Sequence, residues 1–389
     1  MRPTPAPRHL LLLGLAVLAL VPLVVRMTVF GTLPADFGVF PPARSPNVPG
    51  FSWWVFGPGV AFALAIAAFV LRPRWFGFRP APAATPTAPR AGLPPWCLPG
   101  ALLCIAAWAL AWELVPGAGP LVHYAFVPLW WGFILFLDGL VYHRTGGVSL
   151  VARRPAGVLA IAAVSTVCWY SFEYLNWFVL SNWYYPNREI FTPLGYVAWF
   201  AVAYTTVLPS IFVFYNLLTT FPALRTRWSD GPRVALQPRR LWNAFWLGVV
   251  SLAALVVWPA ELFPMLWLSP LMILASVVML AGRWTPFTPL ARGDWGPLTL
   301  IALACLGNYG LGEMWNYYST AANPNFWQYD VPYVGVLKVF EMPLLGYFGY
   351  LPFGVLCWVW WQHHAHLLGL DPAIDVVPGA GPMLDHQGQ

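Results

Sequence analysis

Apolar positions in this chain come in long blocks, cut by charged turns or by turns rich in Pro and Gly. Ten blocks run near 10–30, 51–71, 97–115, 121–142, 156–180, 194–220, 241–262, 264–282, 296–318 and 334–361. A hydrocarbon core about 30 Å thick takes about 20 apolar residues at 1.5 Å rise each. The blocks therefore predict an all-α, polytopic membrane protein of about ten transmembrane helices. Arg2 and Arg8 precede Leu10–Val25 as in a signal peptide, but no small-x-small cleavage site follows, so the first block reads as an uncleaved anchor.

The arginines orient the blocks. With the N-terminus inside, 16 of the 19 arginines fall in inside segments, and only Arg26, Arg44 and Arg188 lie outside. Short basic loops stay on the cytoplasmic side. Both termini are thus expected in the cytoplasm, in a cell inner membrane. The near absence of lysine (Lys338 alone) points to a GC-rich, hence bacterial, genome.

Pattern also divides the chain. Residues 1–72 form a two-helix membrane hairpin. Residues 73–96 are a Pro/Ala-rich linker, expected to be extended and to detach that hairpin. Residues 97–220 and 241–362 read as two four-helix repeats, and 363–389 as a disordered cytoplasmic tail in which His363, His364 and His366 are solvated. The repeat rests on Glu173-Tyr-Leu-Asn176-Trp177 and Glu313-Met-Trp-Asn316-Tyr317, both Glu-x-x-Asn-aromatic. An aromatic loop and a proline, Pro193 or Pro332, follow each. The two repeats would stand parallel, with a ligand site between them, as in other duplicated membrane folds. Prolines 128, 209, 270 and 343 are expected inside the return helices, each freeing a carbonyl four residues back.

Composition narrows the function. The chain is 59% hydrophobic, 17% aromatic and 9% charged, against about a quarter charged in soluble domains. That excludes a soluble enzyme, a nucleic-acid binder and a disordered chain. The net charge of +6 resides in loops between apolar runs. Five cysteines lie inside apolar blocks without the paired spacing of a metal site. No nucleotide, zinc or Ser-His-Asp pattern is visible, so no cofactor and no metal are predicted.

Acids inside apolar blocks are the best pointers, because a carboxylate at mid-bilayer costs about 2.5–3.5 kcal/mol or more. Glu113 and Glu261 fall near turns, and Asp138 is expected to pair with Arg144 or Arg153. Glu173 and Glu313 lie deeper, each sharing a helix face with Asn176 or Asn316. Glu341 is expected about eight residues into its helix, one turn after Lys338. These six residues (Glu173, Glu313, Asn176, Asn316, Glu341 and Lys338) are the candidate proton-handling set. Interhelical glue remains open as a structural reading of the Glu–Asn pairs. Trp183, Tyr185, Trp327 and Tyr329 belong either to an interfacial aromatic belt or to a platform for an apolar ligand.

Glu313-Met-Trp-Asn316, Trp327-Gln-Tyr329 and Phe340-Glu341-Met-Pro343, with a fainter counterpart at 173–193, resemble the small integral-membrane lycopene cyclase domains. That family is also built from duplicated helical units. Its Pro-x-Glu-Glu order is absent here: Glu341 precedes its proline, and the first repeat has no acid equivalent to it. The resemblance implies an isoprenoid enzyme that protonates a double bond and steadies the cation on aromatic faces. From the residues themselves, three classes stay open. They are a membrane enzyme acting by acid/base chemistry on a lipophilic small molecule drawn from the bilayer, a proton-coupled secondary transporter, and a non-catalytic scaffold or assembly factor.

Overall fold

The computed structural model describes residues 7–79, 90–319 and 322–377. Arg2, residues 80–89 of the linker and residues 378–389 of the tail lie outside the described residues. A helix occupies each of the ten apolar blocks. The first are α1 (Arg8–Phe30), α2 (Trp53–Leu71), α3 (Cys97–Ala111), α4 (Phe126–Arg144), the single turn α5 (Leu150–Arg153) and α6 (Pro155–Asn176). The sixth block divides into α7 (Pro193–Ala203) and α8 (Val207–Thr219) around a 3-10 turn, Tyr204–Thr206. The short α9 (Pro222–Arg225) leads to α10 (Pro238–Val257), α11 (Met265–Leu280), α12 (Gly296–Tyr317) and α13 (Tyr350–Leu368). Among the described residues, seven helical segments are long and apolar enough to cross a membrane, and α3 and α11 are shorter apolar helices. The protein is an all-α, membrane-embedded chain.

Small residues seal its helix pairs. A Cβ on Gly132 of α4 would stand 2.5 Å from the Cys104 backbone nitrogen of α3, and one on Gly354 of α13 would stand 2.5 Å from Cys305 Cβ of α12. Helices in lipid gain little from apolar burial and associate by close packing of this kind. All five cysteines are free and buried, and Cys97, Cys104 and Cys305 sit on these seams. The break between α7 and α8 is satisfied from α6. Ser165 Oγ donates to the Tyr204 carbonyl at 2.5 Å and accepts from the Leu208 N–H at 3.0 Å. An unpartnered backbone group in that setting would cost several kcal/mol.

Strand among the described residues is confined to two short ribbons. β1 (Trp183–Tyr184) runs antiparallel to β2 (Gln328–Tyr329), with Trp183 opposite Tyr329. β3 (Lys338–Val339) pairs with β4 (Met342–Pro343).

Several expectations are corrected. The tenth block opens as the β3–β4 hairpin, because Leu337 and Phe340 take positive φ (52° and 57°) and Pro343 lies in β4; a 3-10 turn over Leu344–Gly349 then leads into the α-helix at Tyr350. Lys338 and Glu341 therefore do not share a helix face, although Nζ and Oε2 lie 3.8 Å apart across the turn. Of the four return-helix prolines only Pro270 is internal. Pro128 and Pro209 fall in the first turns of α4 and α8, where a missing N–H is harmless. Asp138 pairs with neither arginine. It accepts from Ser149 Oγ at 2.6 Å, Trp96 Nε1 at 3.1 Å and the Val151 N–H at 3.1 Å.

The chain's two ends are better anchored than their composition suggests. In α1, Leu11 is fully buried and its carbonyl lies 2.9 Å from His363 Nε2, so this helix belongs to the body. The linker's described start is packed as well: Phe78 is buried and the Arg79 N–H reaches the Asp230 carbonyl at 2.8 Å. At the other end α13 continues through Leu368, which buries His363 and His364. Residues 371–377 then fold back. Trp361 Nε1 and Gln362 Nε2 donate to the Pro372 carbonyl at 2.9 and 3.0 Å, and Tyr215 donates to Asp375 at 2.7 Å. Hydrogen bonding to α8 and α13, invisible in a Gly/Pro-rich tail sequence, holds this segment down.

Candidate functional site

On α6, Trp169, Glu173 and Asn176 share one face at helical spacing. Past the helix end, Leu180 and Ser181 adopt positive φ (64° and 48°) and turn the chain back into β1. Asn176 Nδ2 fixes that return by donating to the Trp183 carbonyl at 2.9 Å. The turn delivers side chains to the glutamate. Glu173 Oε1 accepts from Tyr185 at 2.7 Å, Tyr204 at 2.8 Å, Trp169 Nε1 at 2.9 Å and Trp183 Nε1 at 3.0 Å.

The same construction stands on α12. Asn316 Nδ2 donates to the Trp327 carbonyl at 2.8 Å, and Asn316 Oδ1 accepts the Trp327 N–H at 2.9 Å. Glu313 Oε1 accepts from Tyr350 at 2.5 Å, Tyr329 at 2.9 Å and Trp327 Nε1 at 3.3 Å. In each centre the two hydroxyls also meet, Tyr185 and Tyr204 at 3.2 Å and Tyr329 and Tyr350 at 3.1 Å. Carboxyl, first tyrosine and second tyrosine thus form a hydrogen-bonded chain, along which a proton moves by hops between oxygens combined with rotation of the hydroxyls.

The β1–β2 ribbon places the two centres side by side, since Trp183 of one faces Tyr329 of the other. Both glutamates are buried, at 2% and 0% exposure, and both leave Oε2 without a partner. An oxygen offers two lone-pair directions, so a single Oε1 bearing three or four donors is saturated while its twin is idle.

Between the centres lies one cavity of about 480 Å³. All seven donors line it: Trp169, Trp183, Tyr185, Tyr204, Trp327, Tyr329 and Tyr350. The glutamates stand behind that wall, so a molecule in the cavity meets tyrosine hydroxyls and indoles before it meets a carboxyl. Trp267 of α11 stacks on Trp183 at 5.6 Å between ring centres and extends the aromatic lining. Among the described residues none of the lining side chains is charged.

Of the residues singled out from sequence, Glu173, Glu313, Asn176, Asn316, Trp183, Tyr185, Trp327 and Tyr329 come together here. Glu341 and Lys338 do not; they sit on the β3–β4 hairpin, with the Lys338 side chain 42% exposed. Sequence reading missed Trp169, Tyr204 and Tyr350. The tyrosines follow their glutamates at unequal spacings, 31 and 37 residues, so no shared register of the two halves marks them. Among the described residues, no group of three His, Cys, Asp or Glu is arranged to hold a metal ion. Comparison of the chain with family models, curated proteins and solved structures gives no match.

Proposed function

We propose that this protein is a membrane enzyme that protonates and deprotonates an uncharged, isoprenoid-like substrate in the cavity between its two glutamate centres. The observation that carries the reading is that seven N–H and O–H donors, all bonded to two buried carboxyls, together line one apolar cavity. The Tyr329–Tyr350 pair passes the Glu313 proton to a substrate double bond. The resulting carbocation is held against the indole and phenol faces, each worth about 0.5–2 kcal/mol to a cation. A proton then leaves a neighbouring carbon for Glu173 through Tyr204 or Tyr185, so the product is an isomer of the substrate. Return of the proton from Glu173 to Glu313 completes the cycle. General acid–base catalysis of this kind contributes about 10²–10⁴ in rate.

The same proposal takes residues 97–220 and 241–362 as parallel four-helix repeats and the membrane spans as ten. Two features support it: the matching Glu–Asn–Trp–Tyr–Tyr sets, and the glycine seams joining the first and second helices of each half, Gly132 on α3–α4 and Gly248 on α10–α11. The arginine distribution supports an inner-membrane location with both termini cytoplasmic. Glu173→Gln and Glu313→Gln test the function, through lipid extracts of cells carrying each variant. An enzyme leaves one lipid species unconverted. A proton-coupled carrier instead loses pH-driven flux, and a scaffold changes neither. Unaltered lipid profiles in both variants defeat the enzyme reading.

A further inference from the structure

The cavity wall is thick where α6, α12 and α13 form it and thin along α2. Val55, Gly59, Phe62 and Ile66 recur at helical spacing and line the cavity. Yet α2 buries only Phe56 and Ala63. Phe62 is 67% exposed although it lines the cavity, so a single layer of side chains separates the interior from the outer surface of the bundle.

The attachments of α2 are concentrated away from its middle. At one end the Ser52 N–H donates to the Tyr333 carbonyl at 3.0 Å. At the other, the Arg227 guanidinium donates to the Val70 and Leu71 carbonyls at 3.1 and 2.8 Å. Phe56 packs with Val331 and Val334 in a small cluster separate from the main core. Gly57-Pro58-Gly59 lies in the second turn of the helix, directly after Phe56, with the proline inside the helix. Proline removes one helix hydrogen bond and is a common site of sharp helix bending. There Gly59 meets the body through the flexible end of Leu345, whose Cδ1 is 2.8 Å from where a Cβ would be.

We infer that α2 is a lateral gate, bending at Gly57-Pro58-Gly59, through which an uncharged chain lipid passes between the bilayer and the cavity. The inference rests on the cavity being the substrate site proposed above. It adds the route and the class of ligand: with no charged side chain in the lining, a diphosphate-bearing chain finds no counter-ion there.

The test uses the full chain in lipid nanodiscs with an uncharged, diazirine-bearing polyprenyl methyl ether. The readout is the rate at which peptides holding Trp267 and Phe353 become photolabelled. In Gly59→Cys/Leu345→Cys, oxidation to the disulfide should slow labelling by about tenfold or more, and reductant should restore it. Two single variants avoid reliance on the cross-link: Pro58→Leu should slow labelling and Phe62→Ala should speed it. Equal rates in the oxidised and reduced protein, with the cavity still labelled, overturn the gate while the cavity reading stands. Unchanged rates in both single variants do the same. Absence of cavity labelling in the natural protein overturns both readings. Labelling by a diphosphate analogue at the rate of the ether overturns the ligand class.

Discussion

Around Glu173 four side chains donate to one oxygen, among them Trp169 from the turn before it on the same helix. Around Glu313 the corresponding helix position is Tyr309, which stacks on Tyr350 at 4.9 Å and 9°, leaving three donors. The asparagines differ in the opposite sense. Asn316 makes two hydrogen bonds to Trp327, whereas Asn176 makes one to Trp183 and leaves Oδ1 unpartnered. Donors to a carboxylate favour its charged form. The first centre is thus better furnished to carry a negative charge, and the second holds its aromatic loop more firmly around a carboxyl with less support for charge. In the proposed reaction, that asymmetry gives the acid role to Glu313 and the accepting role to Glu173.

The most demanding challenge to this assignment is the pair of glutamine variants. Glu313→Gln should lower substrate conversion by about 10²–10⁴, and Glu173→Gln by a smaller factor, in a membrane assay of lipid turnover. Equal losses would erase the difference in role. Next come the second tyrosines: Tyr350→Phe should cost more turnover than Tyr204→Phe, because Tyr204 shares its carboxyl with three other donors and Tyr350 with two. For stability, Asn316→Ala should cost about 2 kcal/mol and Asn176→Ala about 1 kcal/mol in denaturant titrations, following the number of hydrogen bonds each makes.

Asp375 supplies a contrast, as a buried carboxyl with a single tyrosine donor, Tyr215, outside the membrane-spanning helices. Desolvation pushes it up to about 7, against the opposing hydrogen bond from Tyr215. Undocked, it returns to the ordinary carboxylate range near about 3.9. Its contribution to docking of residues 371–377 is then complete below about pH 4 and is lost as pH rises through about 7. Hydrogen exchange in this segment should quicken over that interval, and Asp375→Asn should flatten the response. The smallest effect is expected from Trp169→Phe, which reduces the first centre to three donors and should bring turnover in Glu173-dependent assays closer to that of a symmetric pair.

Much of this was legible in the sequence. Block length announced the helices, and the recurrence of Glu-x-x-Asn-aromatic marked both glutamates and the asparagines one turn on, because that spacing is local to one helix end; the asparagines bond the returning loop at Trp183 and Trp327. The tyrosines that complete each centre were hidden, since Tyr204 and Tyr350 arrive from later segments at spacings of 31 and 37 residues. Glu341 misled because apolar content alone cannot distinguish a hairpin from a helix start when a positive-φ residue, Phe340, intervenes. The tail misled for a similar reason. Its docking depends on Tyr215 and Asn216, far away in the chain, which bond to Asp375 and the Ile374 carbonyl.

The two-strand ribbon also has a bearing on biogenesis. Tyr184 and its partner Gln328 are separated by 144 residues. At about 5–20 residues per second the ribosome leaves the earlier strand without its mate for about 7–30 s. Throughout that interval an aromatic, hydrogen-bond-hungry edge stands open, the kind of surface that invites pairing with the wrong chain. Insertion machinery or a chaperone has that window in which to shield it, and slowing translation between the two halves should raise the fraction of misassembled protein.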